Sequence, residues 1–152
     1  MSRTDAAFCV IAAPPAKLYA ALVDPEALAQ WLPPEGMTGR VERFEPHAGG
    51  SYRMILYYDG QAEGQGKTGM DSDQVEGEFV ELVPNQRVVQ RVRFESDDPS
   101  MAGTMTITWR FDAVPEGTRV TVTCDDVPRG IRRKDHLAGL RSTLANLAAF
   151  AG

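Results

Sequence analysis

Cysteine and histidine are scarce in this sequence, with two of each, and each scarcity removes a class of protein. Cys9 and Cys124 form no CxxC pair, and a chain of 152 residues can bury enough surface to fold without disulfide staples. Both are expected to be free thiols. His47 and His136 lie far from each other and from either cysteine in sequence, so no zinc ligand set is visible and no metal is expected. Long apolar runs are also missing. The longest, residues 6–13, falls far short of the roughly 20 residues that cross a bilayer. The N-terminus has neither the basic region nor the apolar stretch of a secretory signal. A cytoplasmic protein without membrane insertion is the expectation. Positive charge is short as well: the formal net charge is −5, which works against nucleic acid as a partner, because such binding draws on cations that displace condensed counterions.

What is present is an ordinary globular composition. Hydrophobic residues make up 43% and charged residues 24%, which argues against disorder or a fibrous repeat and for one domain over residues 1–152. An apolar segment over residues 4–12 stops at Pro14-Pro15, and proline suits a first helical turn because its missing N–H costs nothing there. The helix that follows puts Leu18, Tyr19 and Leu22 on one face. Asp24-Pro25 breaks it and caps a second short helix carrying Leu28, Trp31 and Leu32, which ends at Pro33-Pro34.

From Thr38 the period becomes two, with turn residues recurring at intervals, as in an antiparallel meander. Over residues 51–59, Tyr52, Met54, Leu56 and Tyr58 share one face, opposite Arg53, Ile55 and Tyr57. Over 87–95, Val88, Gln90, Val92 and Phe94 face away from Val89, Arg91, Arg93 and Glu95. Over 104–111, Met105, Ile107, Trp109 and Phe111 oppose a row of threonines and Arg110. After the turn at 115–117, Val120, Val122 and Cys124 continue the buried face. Residues 130–151 return to helical period, with Leu137, Leu140, Leu144 and Leu147 on one stripe and Arg132, Arg133 and Arg141 on the solvated side. Residues 60–74, rich in Gly, Gln, Asp and Ser, read as a loop. A sheet with one apolar face needs a cover, and the C-terminal helix is the only large apolar surface left to supply it. The expected fold is therefore α+β: a curved antiparallel sheet of about six to seven strands, two short N-terminal helices, and a long C-terminal helix over the concave face.

The motifs that promise chemistry weaken on inspection. Residues 64–68, GQGKT, suggest a phosphate loop, but Gln61 stands where the motif needs glycine and a strand follows. Asp71 and Asp73 begin like a calcium loop, yet Val75 occupies the next ligand position. His136 adjoins the helix stripe, where Asp126 or Asp135 would orient it as a base, although a boundary histidine is the simpler reading. Ser51, Ser142 and Cys124 have no base partner visible in sequence, so no catalytic residue is nominated. The sheet's inner face is more informative. It mixes bulky apolar groups with the polar tips of Tyr52, Tyr58, Gln90 and Trp109, which a plain core avoids and a ligand pocket displays.

The order of elements, together with several local strings, resembles a known family. LYAALVDPEALAQWLPP at 18–34, GGSYRM at 49–54, GEFVELVPNQRVV at 77–89, GTRVTVT at 117–123 and GLRSTLANLAAF at 139–150 are similar to homologues of the activator of heat-shock protein 90 ATPase. These belong to the START and birch-pollen-allergen-like superfamily. The resemblance implies a helix-grip fold and a cavity for an apolar molecule, and it implies no reaction and no cofactor. The co-chaperone relative works alongside a separate N-terminal domain for which this chain has no room. The expected function is binding of a small hydrophobic or amphipathic ligand between sheet and helix. The residues expected to line the cavity are Trp31, Tyr52, Met54, Leu56, Tyr58, Gln90, Phe94, Met105, Ile107, Trp109, Leu137 and Leu140. A cofactor-independent cyclase or hydrolase using the same cavity and a co-chaperone-like interaction module are the alternatives. Carboxylates or a histidine inside the cavity would favour the first, a filled interior the second. Homodimerisation is left open.

Overall fold

The computed structural model describes residues 3–33, 37–58, 72–94, 99–101 and 103–151. Strand β1 (Thr4–Ile11) leads to two short helices, α1 (Pro15–Val23) and α2 (Pro25–Trp31). A proline opens each helix, and the Asp24 carboxylate accepts the Glu26 N–H at 3.0 Å, so the break between them is also the cap of the second. Strands β2 (Met37–Phe44), β3 (Ser51–Tyr58), β4 (Ser72–Val83) and β5 (Arg87–Phe94) follow. After a single 3-10 turn (Pro99–Met101) come β6 (Met105–Val114), β7 (Gly117–Asp125) and the long helix α3 (Arg133–Ala151).

All seven strands form one antiparallel sheet in the order β1-β7-β6-β5-β4-β3-β2, curled into a half-barrel. The alternation read from the sequence sets its faces. Met54, Val88, Val92, Met105, Trp109, Phe111, Val120, Val122 and Cys124 are all buried on the inner side. Residues 72–74, expected in a loop, belong to β4, because Ser72, Asp73 and Gln74 pair with Tyr57, Leu56 and Ile55. The rest of that loop, with the 64–68 string and Asp71, lies outside the described residues. The turn between β4 and β5 places Asn85 at a φ of 64°, a left-handed position that asparagine tolerates.

Helix α3 lies beside β1 and touches α1 and α2. Leu144, Leu147 and Ala151 are its buried residues, and Leu140 is partly buried against them. Leu137 does not join the core cluster, so the expected stripe begins one turn later than its spacing suggested. The reason is the company kept by the first turns of the helix, which meet a polar cluster instead of an apolar wall.

That cluster centres on Asp5. Its carboxylate has no solvent exposure and meets Arg3 Nη2 at 3.0 Å, Arg133 Nε at 3.0 Å and His136 Nδ1 at 2.7 Å. Arg133 is therefore an ion-pair partner of the edge strand, not simply a solvated helix residue. Burial by itself would raise the Asp5 pKa. Hydrogen bonds from His136 and Arg133, with the charges of Arg3 and His136, outweigh burial and hold the carboxyl below its usual range. A carboxylate beside the first turn of α3 is also favoured by the helix dipole. Elsewhere, the buried Thr118 hydroxyl donates to Ala13 O at 2.7 Å, and Asn146 Nδ2 donates to Pro33 O at 3.1 Å. These bonds fasten β7 to the start of α1 and α3 to the end of α2.

Two stability measurements check this arrangement. Leu147→Ala should cost about 2–5 kcal/mol in urea denaturation, because its side chain is fully enclosed; Leu137→Ala should cost under about 1 kcal/mol. Equal losses would contradict the assigned stripe. Asp5→Asn should cost about 2–3 kcal/mol at neutral pH, below the full penalty of a broken buried pair because Arg133 remains 59% exposed. Because the folded-state pKa of Asp5 is lowered, its contribution is complete above the unfolded carboxyl pKa of about 3.9 and disappears as pH falls through the folded value. The gap between wild type and variant should accordingly close in acid.

Candidate functional site

The inner faces of β2 to β6 do not close fully on the helices. Between them lies a cavity of about 240 Å³, walled by the sheet, by Leu22 of α1, by Leu28 and Trp31 of α2 with the adjoining Leu32, and by Thr143 of α3. Of the residues expected there, Trp31, Tyr52, Met54, Leu56, Gln90, Met105, Ile107 and Trp109 are brought together on its wall. Leu137 and Leu140 are not on it. The helix presents Thr143 at that place, one turn beyond Leu140. The side chains of Tyr58 and Phe94 lie outside those described.

Sequence reasoning omitted Leu22, Leu28, Leu32, Val41, Phe44, Val75, Val92 and Thr143. Val92 was readable, since it alternates with Gln90. Thr143 carries no such signal, because a polar residue on a helix gives no sign that it faces a cavity.

Aromatic rings shape one side of the space. Trp31 meets Trp109 edge to face with ring centroids 5.8 Å apart, and its Nε1–H donates to Ala21 O at 3.0 Å, locking α2 onto α1. Trp31 is 1% exposed and Trp109 is 5% exposed, so both indoles are buried. Opposite them, Tyr52 leans on Phe79 at 5.2 Å and on Phe44 at 6.3 Å. The Tyr52 ring fits only because its cross-strand neighbour is Gly77: a Cβ there would stand 2.4 Å from Tyr52 Cζ. Burial keeps the Tyr52 phenol protonated well above the usual tyrosine range.

The polar groups on this wall are few. Gln90 occupies the central strand β5, between Phe79 and Ile107 in register, and is 8% exposed. Its side-chain amide, like the Tyr52 hydroxyl, has no hydrogen-bond partner among the described residues, and neither group is fully closed off from water. The Thr143 hydroxyl donates back to Gly139 O at 2.9 Å, leaving its lone pairs free. No carboxylate, histidine, lysine or arginine lines the cavity among the described residues. His136 pairs with Asp5, not with Asp126 or Asp135, the two partners weighed for it, and that pair stands outside the cavity wall. Period two along β1 puts Asp5 on the face of Ala7, Cys9 and Ile11, which was the available sign that it points inward. The thiols of Cys9 and Cys124 are unpaired, and burial raises both, Cys124 to about 12.

A larger depression of about 420 Å³ lies on the outer face of β3 to β5, bordered by Glu76, Glu78, Arg91 and Arg93. Its charges answer one another, with Arg91 3.3 Å from Glu78 and Arg93 4.0 Å from Glu76, and its rim is solvated. The mainly apolar space on the inner face, set between sheet and helices, is the better candidate.

A curled antiparallel sheet gripping a long helix, with an apolar cavity between them, is a helix-grip protein. The chain belongs to the Activator of Hsp90 ATPase homolog 1-like family, whose pattern matches residues 12–152. Among solved structures it is similar to protein CV1439 from Chromobacterium violaceum, with 30% identity, a TM-score of 0.86, and 97% of this chain and 96% of that one covered. It is also similar in fold to a Rhodobacter sphaeroides protein, with 20% identity, a TM-score of 0.75, and coverage of 96% and 90%. DynU16, a protein in the dynemicin biosynthetic locus, shares the fold at 21% identity and a TM-score of 0.68, with coverage of 97% of this chain and 46% of that one. No curated protein matches the sequence. The fold is one that commonly holds hydrophobic ligands. No helix among the described residues is long and apolar enough to cross a membrane.

The fit of Tyr52 over Gly77 is open to a double-mutant cycle. Gly77→Ala should destabilise the protein by about 1–2 kcal/mol, as overpacking does. In a Tyr52→Ala background the same change should be neutral or stabilising, since alanine suits a strand better than glycine. Equal costs in both backgrounds would show that the ring does not depend on the glycine.

Proposed function

We propose that this protein binds a small apolar or amphipathic molecule in the cavity between the sheet and its helices. The observation that carries the proposal is the Gln90 amide, without a partner among the described residues, on a wall that is apolar but for it and the tips of Tyr52, Trp109 and Thr143, because a buried amide facing a solid core leaves its hydrogen bonds unmade at a cost of about 1–3 kcal/mol. A cavity that receives a ligand removes that cost. The family membership supports the same reading through the ligands its fold commonly holds. A cyclase or hydrolase reading would call for a proton-transferring group on the wall, and the described wall offers for this only the Tyr52 phenol, which burial holds protonated. An interaction module built on a filled interior is disfavoured by the cavity itself.

Trp31 and Trp109 are the only tryptophans, and both line the cavity. Ligand entry should therefore change intrinsic fluorescence, with a blue shift as water is displaced. The change should saturate at about one ligand per chain, as expected for a single site. Trp31→Phe and Trp109→Phe should each remove part of the response while the protein stays folded, since phenylalanine retains most of the apolar bulk. If a panel of aromatic and aliphatic compounds gives no saturable change with folded protein, the cavity does not serve as a binding site.

A further inference from the structure

The wall of the cavity narrows the class of ligand beyond apolar, an inference that rests on the binding role just proposed. Gln90 sits on the middle strand of the sheet, one strand from Trp109 and two from Tyr52, the other described strand residues that bring a polar tip to the wall. Its amide offers one acceptor oxygen and two N–H donors, and no side chain among those described uses them. Such a group complements a hydroxyl, a carbonyl or an amide. It does not complement a carboxylate or a phosphate. A charged head brought into this space would lose its hydration, at a cost of several kcal/mol, with no described cation on the wall to receive it.

Size narrows the class again. A dry cavity of about 150 Å³ holds a benzene ring. The space here, about 240 Å³, holds more than one ring and less than two such cavities, which suits a monocyclic or fused bicyclic body. A long acyl chain or a sterol exceeds it. The aromatic edges of Trp31, Trp109 and Phe44 give such a body ring contacts on several sides.

We infer that the cavity selects a neutral one- or two-ring molecule whose hydroxyl, carbonyl or amide group hydrogen-bonds to the Gln90 side chain, and that it discriminates against anionic amphipaths such as fatty acids. Gln90 is thereby the specificity-determining residue of the site, and the apolar wall supplies the affinity common to all occupants.

Three probes with the same two-ring body separate these terms by titration calorimetry at neutral pH: naphthalene, 2-naphthol and 2-naphthoate. The wild-type protein should bind 2-naphthol about 5–10-fold more tightly than naphthalene, the worth of one neutral hydrogen bond. It should bind 2-naphthoate at least about 10-fold more weakly than 2-naphthol, because the anion is desolvated without a partner. Gln90→Leu and Gln90→Met, both apolar and close to glutamine in volume, should lower 2-naphthol to the level of naphthalene and leave naphthalene within about 3-fold of wild type. The ranking on wild-type protein tests the charge selectivity even if one variant fails to fold. Naphthalene bound without preference for 2-naphthol would overturn the role of Gln90, as expected if the amide holds only a water, and leave the binding site standing. Tight binding of 2-naphthoate would overturn the selectivity against anions. If none of the three binds folded wild type, the cavity is not a binding site and the inference falls with it.

Discussion

The carboxylate of Asp5, closed off from solvent on edge strand β1, decides how the long helix lies across the sheet. An ionised group in that position is tolerable only with partners, and Arg3, Arg133 and His136 supply them from both sides of the strand–helix boundary. The first turns of α3 are thereby committed to a polar contact beside β1. Only from Leu140 onward does the helix turn its apolar residues to the core, where Leu144, Leu147 and Ala151 are enclosed. Asn146, bonded to the backbone of Pro33, fixes the middle of the helix against the end of α2. With the helix held at these two places, its leucines seal one part of the concave face and Thr143 looks onto the part left open.

The open part persists because its wall is rigid. Trp31 is tied to α1 by its indole N–H and braced against Trp109. Tyr52 lies over Gly77 and against Phe79 and Phe44. Rings braced against one another in this way resist collapse into the space, whereas a wall of unbranched aliphatic residues would relax toward it. Packing to full density is the usual outcome in a protein interior, and here the aromatic framework opposes it.

The opposite face of the sheet follows different physics. Arg43, Arg53 and Arg93 meet Glu76, Arg53 also meets Glu42, and Arg91 meets Glu78. Exposed pairs of this kind contribute about 0–1 kcal/mol each, so they keep the face wet and soluble more than they hold the fold together. Toward the β1 edge this pattern gives way to Phe8 and Val10, both exposed, with the Arg119 guanidinium 6.0 Å from the Phe8 ring.

By itself, the sequence determined what depends on periodicity and on local breaks. Alternation along β3, β5, β6 and β7 assigned the inward face on which Tyr52, Met54, Gln90, Met105, Ile107 and Trp109 meet, and the prolines with Asp24 marked the two short helices. These signals are local, since a strand has a strict period of two and proline acts on its own backbone. Tertiary structure alone decided the rest. The spacing that grouped Leu137 with Leu144 could not show that the helix begins against a charged strand. Nothing near His136 in sequence pointed to Asp5, which lies 131 residues away and meets it only when α3 folds back beside β1. That Gln90 should be buried without a partner is likewise a property of what surrounds it: an inward glutamine has the same sequence signature whether the space before it is filled or empty.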